Sequence, residues 1–222
     1  MTAWSYSSIS TFKQCPKKFY HLKVVQDVKD DPGDAATYGV EAHTAAEVFV
    51  RDGVEMPAKF KFMEPTVTSF NNIPGAKHCE LKLGIKKDGE TYSPCDFFAP
   101  DAWWRGIADL IILRGTLAYV VDYKTGKSAK YADTKQLDLL AAATFLHFPQ
   151  VQRTKSALAF VVSNEFVKKD HKREEIRTYL ECFSPELERL EAAHENDVWN
   201  ANPSGLCGWC PVTHCEHWRK RK

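Results

Sequence analysis

Two apolar segments joined by a very short link constrain the fold of this chain most strongly. Residues 103–113 and 117–123 are rich in apolar, β-branched and aromatic residues, and only Arg114-Gly115-Thr116 separates them. This pattern predicts an antiparallel hairpin. Each strand carries one carboxylate in an apolar setting, Asp109 in the first and Asp122 near the end of the second. In a hairpin centred near residue 115, the two carboxylates should lie almost opposite each other.

This pair of carboxylates predicts a metal site. Facing carboxylates repel each other unless a cation lies between them, and a buried, unpaired carboxylate is costly. Oxygen ligands of this kind favour Mg²⁺ or Mn²⁺. Lys124 follows Asp122 by two residues, so on a strand both side chains point to the same face. A metal beside an ammonium group suits phosphodiester hydrolysis, because both stabilise negative charge that develops on the phosphate.

The rest of the chain predicts a mixed sheet with helices packed on it, an α/β or α+β domain. Ser7 or Ser8 could cap the first helix, Asp34 could cap the third, and Pro149 should end the fourth. Residues 52–76 have no clear period and predict a connector. The expected helices cover residues 7–14, 16–24, 34–50, 133–148 and 184–199, and the further strands cover 80–85, 156–163 and 173–183.

Composition places the chain among globular proteins. It has 222 residues, of which 44% are hydrophobic and 27% are charged, which excludes a disordered or fibrous protein. The longest apolar stretch, residues 137–148, contains Asp138 and His147 and falls short of the roughly 20 residues of a membrane helix. The N-terminus has no basic segment followed by an apolar one, so no secretory signal is predicted. The net charge is +1, so a nucleic-acid site must be a local patch; the basic run at residues 219–222 is either part of one or a solvated tail.

The chain has seven cysteines, an odd number, and no predicted signal peptide. Both features argue against a disulfide framework and indicate a reducing, cytoplasmic location. Cys207, Cys210 and Cys215 are closely spaced in a loop rich in Gly, Trp and Pro, which favours metal ligation. Spacing alone does not separate zinc from an iron–sulfur cluster. The candidates for a fourth zinc ligand are Cys15, His214 and His217, and the cysteines interpreted as ordinary packing residues are Cys79, Cys95 and Cys182.

The order of these residues resembles the PD-(D/E)XK nuclease superfamily, and within it the RecB-like branch that includes CRISPR-associated exonucleases and the AddB nuclease domain. Asp109 followed by Asp122-Tyr123-Lys124 is similar to the core of the superfamily. The segments similar to further motifs of the branch are residues 7–19 with Cys15-Pro16, Gly39-Val40-Glu41-Ala42-His43, a strand with Glu80, and a helix with Gln136. The resemblance implies a restriction-endonuclease-like fold, with a mixed central sheet flanked by helices. It also implies a single nuclease domain over residues 1–222, with a helical segment at 1–30, a core at 34–183 and a C-terminal helix and cysteine segment at 184–222.

The resemblance implies a set of metal ligands for Mg²⁺ or Mn²⁺. His43, Asp109 and Asp122 would bind through their side chains, and Tyr123 through its backbone carbonyl. Glu80 would hold a second metal or support the structure of the site.

The resemblance also implies that Lys124 is catalytic and that Gln136 orients the lysine, the water or the phosphate. Two positions depart from the motifs of the branch. Leu140 stands where a tyrosine would follow Gln136, and Gly106 is followed by Ile107-Ala108-Asp109 without the usual arginine. Neither departure removes a metal ligand.

For the cysteines, the resemblance implies a 4Fe–4S cluster bound by Cys15, Cys207, Cys210 and Cys215, which would join the two ends of the chain. The spacing of the last two cysteines is one residue shorter than the expected form. Zinc remains the alternative metal.

Together these features predict a metal-dependent exonuclease that acts on DNA ends in recombination, repair or phage DNA processing, with a recombination or helicase protein as a partner. The alternatives are a DNA-end-binding scaffold without catalysis and a nuclease for RNA or for particular structures. Four tryptophans could stack on single-stranded DNA or could be packing residues: Trp103, Trp104, Trp209 and Trp218.

Overall fold

A six-stranded mixed sheet forms the centre of the computed structural model, which describes residues 3–30 and 33–219. The end of the basic run, residues 220–222, and two residues of the predicted turn, Asp31 and Pro32, lie outside the described residues. The strand order is β2-β1-β3-β4-β5-β6, with β4 and β5 parallel and the other neighbours antiparallel. The strands are β1 (Ala76–Asp88), β2 (Thr91–Cys95), β3 (Trp104–Arg114), β4 (Leu117–Lys124), β5 (Arg153–Phe160) and β6 (Glu165–Lys172). The predicted mixed sheet is therefore confirmed.

Helices cover both faces of this sheet. The α-helices are α1 (Tyr6–Gln14), α2 (Pro16–Phe19), α3 (Gly33–Asp52), α4 (Glu64–Asn71), α5 (Lys135–His147), α6 (Ile176–Glu181) and α7 (Ser184–Asn196). A π-helical turn spans Tyr20–Val24, and 3₁₀ turns span Ala58–Met63, Arg173–Glu175 and Cys207–Trp209. No helix among the described residues is long and apolar enough to span a bilayer.

Alternate residues of the central strands build two separate cores. Leu110 and Ile112 pack in a cluster with Ala42 of α3 and Val67 of α4. Ile111, between them in sequence, packs in the other cluster with residues of α1, α5, α6 and α7. This division follows from the two-residue period of a strand, which sends successive side chains to opposite faces.

The β3–β4 hairpin has the predicted register. Its pairs run from Arg114↔Leu117 to Leu110↔Val121, and one further step along both strands brings Asp109 opposite Asp122. Gly115 has a φ of +61° in the turn, a conformation that glycine adopts without steric cost. The tight turn therefore fixes which residues face each other at the far end of the hairpin.

Helix α5 is buried on all sides, from Leu137 to Phe145, because the sheet covers one side and other helices cover the rest. It carries a buried carboxylate, Asp138, that is 5% exposed. One oxygen of Asp138 lies 2.8 Å from His171 Nε2 and 2.6 Å from Lys169 Nζ, both on β6. These two partners satisfy a charge that burial alone would make unfavourable.

The prediction of a strand at residues 173–183 is wrong. This segment is helical, and the outer strand is β6 at Glu165–Lys172. The apolar residues of the segment, Ile176, Tyr179, Leu180 and Phe183, follow helical spacing. The edge strand β6 is rich in charged residues, as edge strands often are, so its sequence gives little apolar signal.

Several predicted boundaries also differ. Ser5, not Ser7 or Ser8, caps α1 in a reciprocal capping box with Ser8. Asp34 lies inside the first turn of α3 and is not its cap. The predicted connector contains a 3₁₀ turn and α4, while β2 was not predicted at all. The strand predicted from residue 156 starts at Arg153 and ends at Phe160, and the last long helix ends at Asn196 rather than near 199.

Candidate active site

The predicted site residues converge on one end of the sheet from five separate elements. His43 lies on α3, Glu80 on β1, Asp109 on β3, and Gln136 on α5. Asp122, Tyr123 and Lys124 are the last residues of β4. The strands set the positions of the carboxylates, and the two helices approach from opposite faces of the sheet.

Three carboxylates form a row across β1, β3 and β4. The β1–β3 ladder pairs Cys79 with Leu110 and Leu81 with Ala108, so Glu80 stands level with Asp109. Glu80 itself has a φ of +48°, a left-handed conformation that is uncommon for a residue other than glycine. Ligand atoms of His43, Glu80 and Asp109 all lie within 4.8 Å of one another.

Asp109 is held by contacts on both carboxylate oxygens. Oδ2 accepts a hydrogen bond of 2.6 Å from the backbone N–H of Tyr123. Oδ1 lies 3.3 Å from Nδ1 of His43. Asp109 thus couples the end of β4 to helix α3.

Asp122, Lys124 and Gln136 form a closed triangle. Lys124 Nζ lies 2.6 Å from Asp122 Oδ2 and donates a hydrogen bond of 2.9 Å to Gln136 Oε1. Gln136 Nε2 donates to the other oxygen of Asp122 at 2.5 Å. Asp122 is buried, while 33% of the lysine side chain is exposed to solvent. The ammonium group is therefore oriented by two partners and still reaches solvent.

Burial and the negative charge of a neighbouring carboxylate raise the pKa values of Glu80 and Asp122 in this site. Burial, reinforced by the negative charge of Asp109, raises the pKa of Glu80 to about 7. The same two causes raise the pKa of Asp122 to about 6, although Lys124 opposes them. Burial alone would lower the pKa of His43, but hydrogen bonding to Asp109 and the surrounding carboxylates give a net rise. This donor set of carboxylates and one imidazole fits a divalent cation, which would relieve the repulsion.

A groove of about 680 Å³ opens on Lys124 and Gln136. It includes Leu140, the position that departs from the RecB-like motif, and residues that the sequence analysis did not single out, Tyr6 and Arg105. Nothing in their spacing relates them to the site, because the fold alone brings the first helix and the start of β3 beside β4. Gly106 is also required here, since a Cβ at this position would lie 2.4 Å from the ring of Trp104.

The four tryptophans differ in accessibility. Trp104 is 1% exposed and Trp103 packs edge-on against Trp4, so both act as packing residues. Trp218 donates its indole N–H to the carbonyl of Cys210. Trp209 is exposed at the surface.

Cys15, Cys207, Cys210 and Cys215 line one cavity of about 140 Å³ between the ends of the chain. All are free thiols. The backbone N–H of Asn202 donates to Cys15 Sγ at 3.4 Å, and that of Ser204 donates to Cys207 Sγ at 3.3 Å. The other three cysteines, Cys79, Cys95 and Cys182, are half-buried and are not among the residues that line this cavity.

The two histidines considered as zinc ligands lie in different surroundings. His217 lines the cysteine cavity and pairs with Glu216. His214 instead lies with His21 and Asp27.

Comparison with known proteins identifies the class to which this fold and site belong. A family model of the PD-(D/E)XK nuclease superfamily matches residues 3–73 and 78–215. The chain belongs to this superfamily, which places it among the hydrolytic nucleases. Members of the superfamily use divalent metals, and the acidic group at His43, Glu80 and Asp109 is of the kind that holds them.

Solved structures add the fold. A protein from Eubacterium rectale, named "Putative exonuclease", matches with a TM-score of 0.53 and 14% identity over 100% of this chain and 90% of that one. SSO0001 matches with a TM-score of 0.42 and 11% identity, covering 99% of this chain and 89% of that one. The first likeness shows a shared fold. No curated protein matches the sequence.

Proposed function

We propose that this chain is a metal-dependent DNA exonuclease of the RecB-like branch that hydrolyses phosphodiester bonds at DNA ends. The observation that carries the proposal is the triangle of Asp122, Lys124 and Gln136 beside the acidic group of His43, Glu80 and Asp109. A scaffold that only bound DNA would gain nothing from holding a lysine against a buried carboxylate. A nuclease requires this arrangement, because negative charge grows on the phosphate in the transition state.

His43, Asp109, Asp122 and the backbone carbonyl of Tyr123 would hold Mg²⁺ or Mn²⁺, and Glu80 would hold a second ion or support the first. When bound, the metal polarises the phosphate and activates a water molecule. Asp109 is held in position by its contacts with His43 and with the Tyr123 N–H. A carboxylate held in this way needs little reorganisation to bind an ion.

Lys124 would act on the reacting phosphate directly. Its ammonium group is exposed enough to meet substrate and is held in place by Asp122 and Gln136. Gln136 holds both partners at once, so it orients the pair and does not itself react. The lysine would stabilise the developing charge or position the attacking water.

The groove beside Lys124 would receive the DNA strand. It is lined by residues of α1 and by Arg105 near the start of β3. The guanidinium group donates to the carbonyl of Ala99 at 2.7 Å through one nitrogen, while its Nε is buried without a protein partner. The positive charge of Arg105 beside the groove would attract the phosphate backbone locally, although the net charge of the chain is only +1.

The four cysteines of the cavity would bind a 4Fe–4S cluster and join residues 1–30 and 184–222 to the core in a single nuclease domain. In a tetrahedral zinc site the sulfur atoms lie about 3.8 Å apart, because each Zn–S bond is about 2.3 Å. Among the described residues, the groups with three ligand atoms within 4.8 Å of one another contain no cysteine. Wider spacing supports the larger cluster over a single zinc ion, and the N–H donors on Cys15 and Cys207 suit cluster sulfur ligands.

The proposed setting is recombination, repair or phage DNA processing in the cytoplasm, with a helicase or recombination protein as partner. The test compares a linear duplex with the same plasmid as a covalently closed circle, both in Mg²⁺, together with single-stranded DNA and RNA of matched sequence. An exonuclease degrades the linear molecule and leaves the closed circle intact. Cleavage of both at equal rates would identify an endonuclease, preferential cleavage of RNA would identify an RNA nuclease, and binding without cleavage would identify a scaffold.

A further inference from the structure

A second group of potential metal ligands lies away from the catalytic residues and shares none of them. Ligand atoms of His21, Asp27 and His214 all lie within 4.8 Å of one another. Nδ1 of His21 is 2.9 Å from one carboxylate oxygen of Asp27 and 3.2 Å from the other. The rings of His21 and His214 stand edge to face with their centroids 4.6 Å apart.

The chain builds this group from two segments that are distant in sequence. His21 lies in the π-helical turn Tyr20–Val24, and Gln26 follows it with a φ of +58°. This left-handed residue reverses the chain, so Asp27 returns to the side of His21. His214 comes from the loop between the buried Val212 and the cluster residue Cys215. The group therefore connects the N-terminal helical segment to the cysteine loop.

We propose that His21, Asp27 and His214 bind a Zn²⁺ ion that fastens these two segments together. Two imidazoles and one carboxylate form a ligand set that zinc uses, with water in the remaining position. Imidazole ligands favour zinc and other late transition metals over Mg²⁺. With metal–ligand bonds of about 2.0–2.2 Å, neighbouring ligand atoms in a tetrahedral site lie about 3.4 Å apart, so small side-chain rotations suffice from the observed spacing.

The location of the site gives it a structural rather than a catalytic role. Asp27 and His214 are exposed, and His21 is mostly covered, with 12% of its side chain accessible. An ion here would hold the loop of Cys210 and Cys215 against the π-helical turn from outside the cysteine cavity. This connection would persist even if the cysteines lost their own cofactor.

The first test measures Zn²⁺ binding to the full chain by equilibrium dialysis with metal analysis. Asp27→Asn and His214→Gln should each lower the affinity for one Zn²⁺ per chain by at least about tenfold, since loss even of an outer partner of a ligand costs that much. The matched controls are Asp30→Asn, a few residues away, and His194→Gln on α7, which make the same chemical changes at exposed positions outside both ligand groups. The controls should keep the wild-type affinity. Equal Zn²⁺ binding by all five proteins would overturn the proposal and leave an ordinary hydrogen bond between His21 and Asp27.

The second test uses Co²⁺ as a spectroscopic substitute for zinc, because thiolate ligands give an intense charge-transfer band and imidazole or carboxylate ligands do not. The proposal predicts that His214→Gln removes weak visible bands of nitrogen and oxygen ligation and leaves any thiolate band unchanged. Loss of a thiolate band in His214→Gln would instead assign His214 to the cysteine site and contradict the proposal. Co²⁺ at the catalytic site can be told apart from Co²⁺ at the proposed site, because Asp109→Asn should lose the catalytic ion and His214→Gln should retain it.

Discussion

Glu80 and Asp109 stand level with each other on neighbouring strands, and Glu80 achieves this position with a left-handed backbone. The two neighbouring pairs, Cys79↔Leu110 and Leu81↔Ala108, keep regular register on either side. Strain and charge repulsion are therefore concentrated at one residue. Such strain persists where the surrounding structure enforces it, often at functional sites.

Replacing Glu80 by glycine should stabilise the protein and weaken metal binding. Glycine adopts a positive φ without strain, and the change also removes one of two repelling carboxylates. Glu80→Ala is the matched control, because it removes the same carboxylate and keeps the strained backbone. We expect Glu80→Gly to exceed Glu80→Ala in free energy of unfolding by about 1 kcal/mol, measured by urea denaturation without metal. Both variants should need more Mg²⁺ for half-maximal cleavage; an unchanged Mg²⁺ requirement in both would remove Glu80 from the metal site.

Lys124→Ala should separate catalysis from binding. Loss of one preorganised charged group lowers the cleavage rate by roughly a hundredfold or more, whereas affinity for DNA, measured in Ca²⁺ to prevent turnover, should change much less. Gln136→Ala should act in the same direction but more weakly, since the amide only orients Lys124 and Asp122. The control is Lys127→Ala, an exposed lysine three residues further along. Equal losses of binding and cleavage in Lys124→Ala would make Lys124 a simple phosphate contact.

The contacts of buried Asp138 with His171 and Lys169 should make stability depend on acid pH. Burial raises the pKa of Asp138, but His171 and Lys169 together hold it below the ordinary value of 3.8. Because the folded-state pKa is lowered, the stabilisation is complete above the ordinary pKa and is lost as the pH falls through the lowered one.

Asp138→Ala should cost about 3 kcal/mol at neutral pH, because it leaves buried His171 without its partner. The free energy of unfolding, measured from pH 7 down to about pH 2, should show the variant and the wild type converging only below the ordinary Asp pKa of 3.8. Asp170→Ala, at an exposed position on the same strand, should follow the wild type throughout. A difference for Asp138→Ala that stayed constant with pH would point to lost packing rather than lost charge.

Cys15→Ser should remove the proposed iron–sulfur cluster and destabilise the chain. The four thiols join both ends of the chain, so loss of one ligand loosens both. Protein purified without air should contain iron and sulfide and show the broad absorption of a cluster; the Ser variant should show neither. Cys79→Ser is the control, since this half-buried thiol is not among the residues lining the cavity. Stoichiometric zinc without iron in the wild type would favour the zinc alternative.

The sequence predicted most reliably those features that depend on interactions within a short stretch of chain. The short turn at Arg114-Gly115-Thr116 determined the register of β3 and β4, so the facing of Asp109 and Asp122 followed by counting along both strands. The contact between Lys124 and Asp122 followed from the two-residue strand period. The charged edge strand β6 gave no apolar pattern, and the helical spacing from Ile176 to Phe183 was interpreted as a strand.

Other features depend on contacts that spacing does not encode. The positive φ of Glu80 is not signalled by its residue type, because this conformation is typical of glycine. His21 and His214 meet only because the ends of the chain pack together. Tyr6 and Arg105 reach the groove for the same reason.

The most direct test of the account is cleavage of end-labelled DNA by the wild type and by Asp109→Asn. The asparagine keeps an oxygen that can accept the Tyr123 N–H, so the fold around β4 should remain intact while the charge that binds metal is lost. We expect cleavage by the wild type in Mg²⁺ or Mn²⁺, none in EDTA, and none by Asp109→Asn, although the variant still binds the DNA. Cleavage by the wild type in EDTA, or by Asp109→Asn at the wild-type rate, would contradict it.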